Sequence, residues 1–156
     1  MTVVVLLCST AVNAYDFEVD GIYYNILSLE DLTVEVTSGG NKYSGEVIIP
    51  STITYKTKVL TVTEIGLEAF KKCTNLISIT LPAGVTSIRD YAFGYCDKLA
   101  SINIPEGVTS IESGAFSDCS SLTDIVVAEG NQTYDSRGGC NAIIETETNT
   151  LIAGCS

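Results

Sequence analysis

The chain has no histidine, three prolines, and eight Lys+Arg against nineteen Asp+Glu. Without histidine it lacks the usual proton shuttle near neutral pH and the commonest metal ligand. The formal net charge of −11 repels a phosphate backbone, so nucleic acid is excluded as a natural partner. No run approaches the roughly 18 apolar residues that a membrane-spanning helix needs. No phosphate-binding loop, nucleophile elbow or metal-ligand spacing occurs, so no enzymatic activity, cofactor or metal is expected. What remains is 156 residues with 46% hydrophobic and 17% charged side chains, enough for one compact domain with a core.

The first fourteen residues, MTVVVLLCSTAVNA, join an apolar run from Val3 to Cys8 to the small-x-small triplet Val12-Asn13-Ala14. This is the form of a secretory signal cut after Ala14, although basic residues at its front are missing. Two alternatives stand beside it: lipid attachment at Cys8, against which the size of Leu7 counts, and a buried hydrophobic strand. The expected product is secreted or displayed on the cell surface.

From Ile65 the chain repeats itself with a period of 23 residues and no gaps: 65–87, 88–110 and 111–133. Seven positions are identical in all three units: Ile65/88/111, Ala69/92/115, Phe70/93/116, Cys73/96/119, Leu76/99/122, Ile79/102/125 and Gly84/107/130. Fixed positions are apolar or glycine while variable ones are mostly polar, as stacked coils with shared apolar columns require. In the middle unit LASINIP alternates as a short strand with Ser101 and Asn103 outward, and Pro105 and Gly107 end it at a positive-φ corner. VTSI reads as a second extended piece. SGAFSDCSSL, with apolar residues near the 3, 4, 7 spacing, predicts a helical turn. Phe70, Phe93, Phe116, Cys73, Cys96 and Cys119 thus form a core ladder, and the cysteines read as buried free thiols. Stacking one coil apart does not bring Cβ atoms to disulfide distance.

Val47, Ile49 and Pro50 match Ile79, Leu81 and Pro82, so a part unit precedes the array. The distance from Pro50 to Ile65 exceeds that from Pro82 to Ile88 by nine residues (15 against 6), which predicts an inserted hairpin or loop around Tyr55–Val59. In the front cap, Asp20-Gly21 signals a tight hairpin, and Gly39-Gly40-Asn41 a second one. At the back, the segment 140–155 folds about Thr146–Asn149, with Ile144 facing Leu151, Ile143 facing Ile152 and Cys140 facing Cys155. A Cys140–Cys155 disulfide and two separate thiols are both compatible with that register. The expected organisation is 1–14 signal peptide, 15–64 N-terminal β cap and part repeat with insertion, 65–133 three repeats, and 134–156 C-terminal β-hairpin cap.

The stretch SIRDYAFGYCDKLASINIPEGVTSIESGAFSDCSSL resembles the BspA-like, or Treponema pallidum-type, leucine-rich repeat. The resemblance implies a leucine-rich-repeat solenoid of α/β class, mostly short β-strands with short helical turns and β-hairpin caps at both ends. It also implies a secreted or surface protein of host-associated bacteria, some of whose relatives bind host matrix proteins.

Function then rests on the surface. The outward strand positions form columns Ser78, Ser101, Asp124 and Thr80, Asn103, Val126, a candidate ligand surface for protein or glycan. Tyr91 and Tyr95 form a candidate exposed aromatic pair. Glu145 and Glu147 read as solvated turn residues, since nothing around them supplies the desolvation that acid catalysis needs. Asn131-Gln132-Thr133 matches a glycosylation acceptor, a short pattern that arises easily by chance. Ala128 and Asn131 depart from the repeat and mark its end. The reading is a non-catalytic binding module that contacts protein, with host adhesion as its use. The alternatives are an assembly module of a larger surface protein, or a glycan-binding accessory using Tyr23, Tyr24 or the Tyr91/Tyr95 pair.

Overall fold

A computed structural model describes residues 15–154; the expected leader at 1–14, with Cys8 and Ala14, and the disulfide partner Cys155 lie outside the described residues. The chain opens with β1 (Phe17–Val19) and β2 (Ile22–Ser28), an antiparallel pair joined by Asp20-Gly21 with φ of 50° and 81°. Two successive positive φ values give the turn whose twist matches a hairpin. Next, β3 (Thr33–Thr37) pairs antiparallel with β2, and β4 (Ser44–Ile48) follows. The hairpin expected at Gly39–Asn41 does not form: β3 joins β6 (Lys58–Ile65) in parallel, whereas β4 joins β7 (Asn75–Thr80) in a different sheet. Both strands carry inward aliphatics, and a coil closes only if they cover opposite sides of the core. Gly39 serves that crossing, because a Cβ there would stand 2.2 Å from the Tyr23 ring. The inserted hairpin is present as β5 (Thr52–Tyr55) against β6.

The coils then stack. One parallel sheet runs β3-β6-β8-β10, adding β8 (Ser87–Ile88) and β10 (Ser110–Ile111), and a second runs β4-β7-β9-β11, adding β9 (Ser101–Ile104) and β11 (Asp124–Val127). Register follows the repeat, with Ile65, Ile88 and Ile111 in line and Ser78, Ser101 and Asp124 in line. The C-terminal cap is a three-stranded antiparallel sheet of β12 (Tyr134–Asp135), β13 (Ala142–Glu145) and β14 (Thr150–Gly154). Ile144 faces Leu151 as the sequence suggests, but a bulge shifts Ile143 onto Ala153 instead of Ile152.

The third side of each coil corrects the helical expectation. Among the described residues the only helix is a 3₁₀ turn at Arg137–Gly139. The repeat segments are tight turns in which Glu68, Lys72, Tyr91, Tyr95, Gly114 and Asp118 all have positive φ. Amides of 69, 71 and 73 bond three residues back, while those of Glu68, Phe70 and Lys72 donate to the carbonyls of Asp90, Ala92 and Gly94 at 3.0, 2.7 and 2.8 Å. A helix would satisfy those donors internally and leave successive coils unjoined here. The left-handed residues cost on the order of 1 kcal/mol each, offset by these inter-coil bonds. The apolar spacing is that of a buried face, reached by turns.

The core is an aromatic column longer than the sequence suggests. Phe70, Phe93 and Phe116 stack at 5.2 and 5.4 Å, and Tyr43, Tyr23 and Tyr15 continue them toward the N-terminus at 4.5, 5.8 and 4.6 Å. The Tyr43 hydroxyl donates to the Thr37 carbonyl at 2.6 Å and accepts the Tyr23 amide at 3.0 Å, so the polar tip is satisfied inside the cap. Beside the rings run the thiols: Cys96 donates to the Phe70 carbonyl and Cys119 to the Phe93 carbonyl, each at 3.1 Å. Burial pushes the Cys73 thiol up; at Cys96 the hydrogen bond with Cys119 and then burial do the same. The same hydrogen bond pulls the Cys119 thiol down, but all three sulfurs are buried, and enclosure makes them poor nucleophiles. Iodoacetamide on the native protein is expected to modify Cys140, which is exposed, and to reach Cys73, Cys96 and Cys119 only in denaturant, as read by peptide mass. Rapid native labelling of Cys96 would contradict the ladder.

The repeated glycine also acts differently from expectation. Gly84, Gly107 and Gly130 have no positive φ. At Gly107 a Cβ would stand 2.8 Å from the Ala83 carbonyl oxygen and 3.2 Å from that of Val85, so glycine permits the close approach of neighbouring coils. Gly107→Ala is therefore expected to lower stability by about 1–3 kcal/mol in urea titration, since backbone must move. An unchanged midpoint would show that the coils have slack.

In the cap, the Tyr24 hydroxyl is buried without a hydrogen-bond partner, and burial, then Asp20, pushes its pKa up to about 12 from 10. The folded state thus holds its phenolic proton over a range in which the unfolded chain has lost it. Stability present below pH 10 should fall as pH rises toward 12. Tyr24→Phe removes an orphaned polar group and is expected to flatten that fall and raise neutral-pH stability by about 1 kcal/mol. Denaturation midpoints across alkaline pH test this, and an equally steep decline in the variant would place its origin elsewhere.

Candidate functional site

Period-two alternation decides the outer face of the second sheet. Ile79, Ile102 and Ile125 point into the core, buried to 7, 2 and 1% exposure. Their neighbours point out and, in register, form two rows across four strands: Glu46, Ser78, Ser101, Asp124 and Ile48, Thr80, Asn103, Val126. The candidate residues Ser78, Ser101, Asp124, Thr80, Asn103 and Val126 are thus brought together. Glu46 and Ile48 are additional members that sequence reasoning missed, although the match of Val47 to Ile79 contained the signal. A bulge in β7 against β4 turns Ile77 outward as well, leaving Ser78 half-buried. Ile48, Ile77 and Val126 are 73, 50 and 45% exposed, so the face is a polar sheet carrying separate apolar side chains.

Past the strand ends the chain turns at Leu81–Ala83, Pro105–Glu106 and Ala128–Glu129, and Leu81, Ala83, Pro105, Glu106 and Ala128 of these turns, with Thr80, Asn103 and Val126, border a shallow groove across three coils. Glu106 stands over Gly130, where a Cβ would meet its carboxyl carbon at 2.5 Å. The face and its rim hold Glu46, Asp124, Glu106 and Glu129, and no lysine or arginine. Lys42 and Lys98 lie in the segments that enter β4 and β9, where Lys98 Nζ donates to Asn75 Oδ1 at 2.9 Å.

The remaining candidates sit elsewhere. Tyr91 and Tyr95 lie on the turn side, 38 and 39% exposed, not on the sheet face. Lys71 Nζ lies 4.9 Å from the Tyr91 ring centroid, and the same ring packs on Gly114, so Tyr91 bridges three coils. Tyr23 and Tyr24 cannot present a ring to a glycan, being 5 and 0% exposed. The cap covers both faces of β2, with Tyr23 in the aromatic column and Tyr24 stacked on Phe17 at 5.5 Å. Cys140 is exposed. Glu145 accepts a hydrogen bond from the Thr148 hydroxyl near the tip of β13–β14, and Glu147 is exposed there. Asn131 is buried: its amide donates to the carbonyls of Pro105 and Val108, both at 2.9 Å, and its oxygen accepts the amides of Thr133 and Tyr134 at 2.9 and 2.8 Å. Both amide hydrogens are used, so the acceptor pattern is sealed in the folded chain. Among the described residues no group of three or more His, Cys, Asp or Glu could hold a metal ion, and no helix is long and apolar enough to cross a membrane.

Residues 46–146 match the model of the BspA type Leucine rich repeat region in six copies. A leucine-rich repeat protein from Bacteroides ovatus is 38% identical with a TM-score of 0.66; the match covers 72% of this chain and 29% of that one. This chain therefore spans less than a third of that relative's length. A leucine-rich repeat protein from Bacteroides capillosus, 20% identical with a TM-score of 0.52 over 72% of this chain and 97% of that one, shares the fold. A leucine-rich repeat protein of T. pallidum is 22% identical over 70% of each chain, with a TM-score of 0.40. No curated protein matches.

Proposed function

The chain belongs to the BspA-type leucine-rich-repeat family, and from that premise we propose that it is a non-catalytic recognition module whose outward second sheet binds protein. The observation that carries this reading is the pair of straight outward rows across four strands. They present short polar side chains at about 4.8 Å intervals on a rigid backbone, with exposed Ile48, Ile77 and Val126 as apolar contacts. Small side chains lose little rotamer entropy on binding, so such a face suits broad, specific contact. Surface display and adhesion to host matrix protein are the use we assign to it, in keeping with the secretory signal expected from the sequence of residues 1–14. The test is capture of immobilised matrix proteins and mucin glycans by the full chain, compared with Ser101→Arg and Asp124→Arg. Capture lost in both variants, with an unchanged circular dichroism spectrum, is the expected result; capture indifferent to both would move the site off this face.

A second reading, an assembly module of a larger surface protein, draws on one specific feature. β4 is the outer strand of its sheet, its inward Val47 is only half-buried, and no cap strand pairs with it among the described residues. Concentration-dependent mass in solution, with no capture of host protein, would favour this reading.

A further inference from the structure

We propose that the groove along the C-terminal ends of β7, β9 and β11 holds an extended, lysine- or arginine-bearing segment of a protein partner, its basic side chain against Glu106 and an apolar one against Pro105, Val126 and Ala128. This rests on the recognition-face reading and names the chemistry of its ligand. The groove crosses the coils rather than following a strand, and is bordered by Thr80, Asn103, Pro105, Glu106, Val126 and Ala128. Thr80 and Asn103 are exposed and supply hydroxyl and amide groups able to donate to and accept from a peptide backbone. Pro105, Val126 and Ala128 are each at least partly open to solvent and offer the apolar contact.

Charge selects the occupant. Glu106 borders the groove while Glu129, Asp124 and Glu46 lie on the surrounding turn and sheet face, and none of the four forms an ion pair among the described residues; the salt bridges there use Glu68, Glu64, Glu112 and Asp135. Glu106 lies over Gly130, at the boundary between this groove and a neighbouring one lined by Gly107, Thr109 and Gln132. Of the eight basic residues in the chain, none borders the groove. With a net charge of −11 behind it, this rim attracts cationic segments and repels acidic ones.

The test uses the full chain and fluorescein-labelled hexapeptides read by anisotropy at low salt: three Lys-Val repeats, three Glu-Val repeats and three Lys-Gly repeats. The expected result is saturable binding of the Lys-Val peptide, weaker binding of Lys-Gly and none of Glu-Val. Binding should weaken roughly two- to fivefold in Glu106→Gln and also fall as salt is raised, because a rim charge contributes modestly and is screened. Val126→Ser should weaken it as well, while Glu68→Gln, on the turn side, should not. Absence of binding, equal binding of the Glu-Val peptide, or indifference to both Glu106→Gln and Val126→Ser overturns the proposal. A chain that captures a matrix protein through Ser101 and Asp124 yet takes up no peptide overturns the groove alone; one that does neither removes the recognition face too.

Discussion

Phe93→Ala is expected to lower stability by about 3–5 kcal/mol, the range for deleting a fully buried aromatic ring. Phe93 is 0% exposed and stacks on both sides, 5.2 Å from Phe70 and 5.4 Å from Phe116. Truncation opens a cavity in the middle of the column, and neighbouring coils cannot close over it because their backbones are already hydrogen-bonded at strand spacing. Phe116, 9% exposed, has one ring neighbour among these contacts, so Phe116→Ala should cost roughly half as much. In a stacked array each coil touches only its neighbours, so a central cavity should also broaden unfolding by weakening the coupling of the two ends. Denaturant titrations of both variants provide the comparison. If Phe93→Ala costs no more than Phe116→Ala, the continuous column is not what unites the coils.

The second large effect runs against the repeat pattern. Asn131 stands where the two preceding units have Val85 and Val108, so a substitution guided by the repeat would restore valine. Asn131→Val is instead expected to destabilise by about 2–4 kcal/mol, because it strips the Asn131 partner from the amides of Thr133 and Tyr134 and from the Val108 carbonyl, and leaves the Pro105 carbonyl with the Val108 amide alone. Two of those bonds reach back to the middle coil and two hold the segment that enters β12, so Asn131 joins the third coil on both sides. Asn131→Asp keeps the acceptor oxygen but brings a carboxylate up to two carbonyls, and should also destabilise, more strongly above its pKa. A urea midpoint that rises in Asn131→Val would show the cap to be held by apolar packing alone.

The residues that sequence reasoning read well share one property: their role recurs every 23 residues. Phe70, Phe93, Phe116 and the three stacked cysteines each answer the same burial demand once per coil, so identity at a fixed spacing is the record of a buried column. The outward columns from Ser78 to Asp124 and Thr80 to Val126 were readable by the same logic, because a strand that buries one face must expose the other. Glu46 and Ile48 escaped because the inserted hairpin of β5 and β6 breaks the period before the first full unit. Tyr43 escaped for the same reason, its place in the aromatic column masked by a shortened first turn. Tyr23 and Tyr24 were misplaced because alternation implies one wet face, and the cap buries both sides of β2.

By itself, then, the sequence determined the period, the inward columns and the parallel pairing of equivalent strands, since each follows from one local pattern repeated until coils can share a core. The tertiary structure alone decided four things: that the third side is left-handed turns and not helix, that β3 and β4 part to different sheets, that Gly107 admits a neighbouring carbonyl, and that Asn131 joins the middle coil to the segment entering β12. In each case the deciding partner lies in another coil or on the far side of the core, 26 residues away for the Asn131 amide and the Pro105 carbonyl. The Asn131 bonds leave no periodic trace in the sequence, and the recurring glycine marks its position every 23 residues without naming the neighbouring carbonyl that requires it.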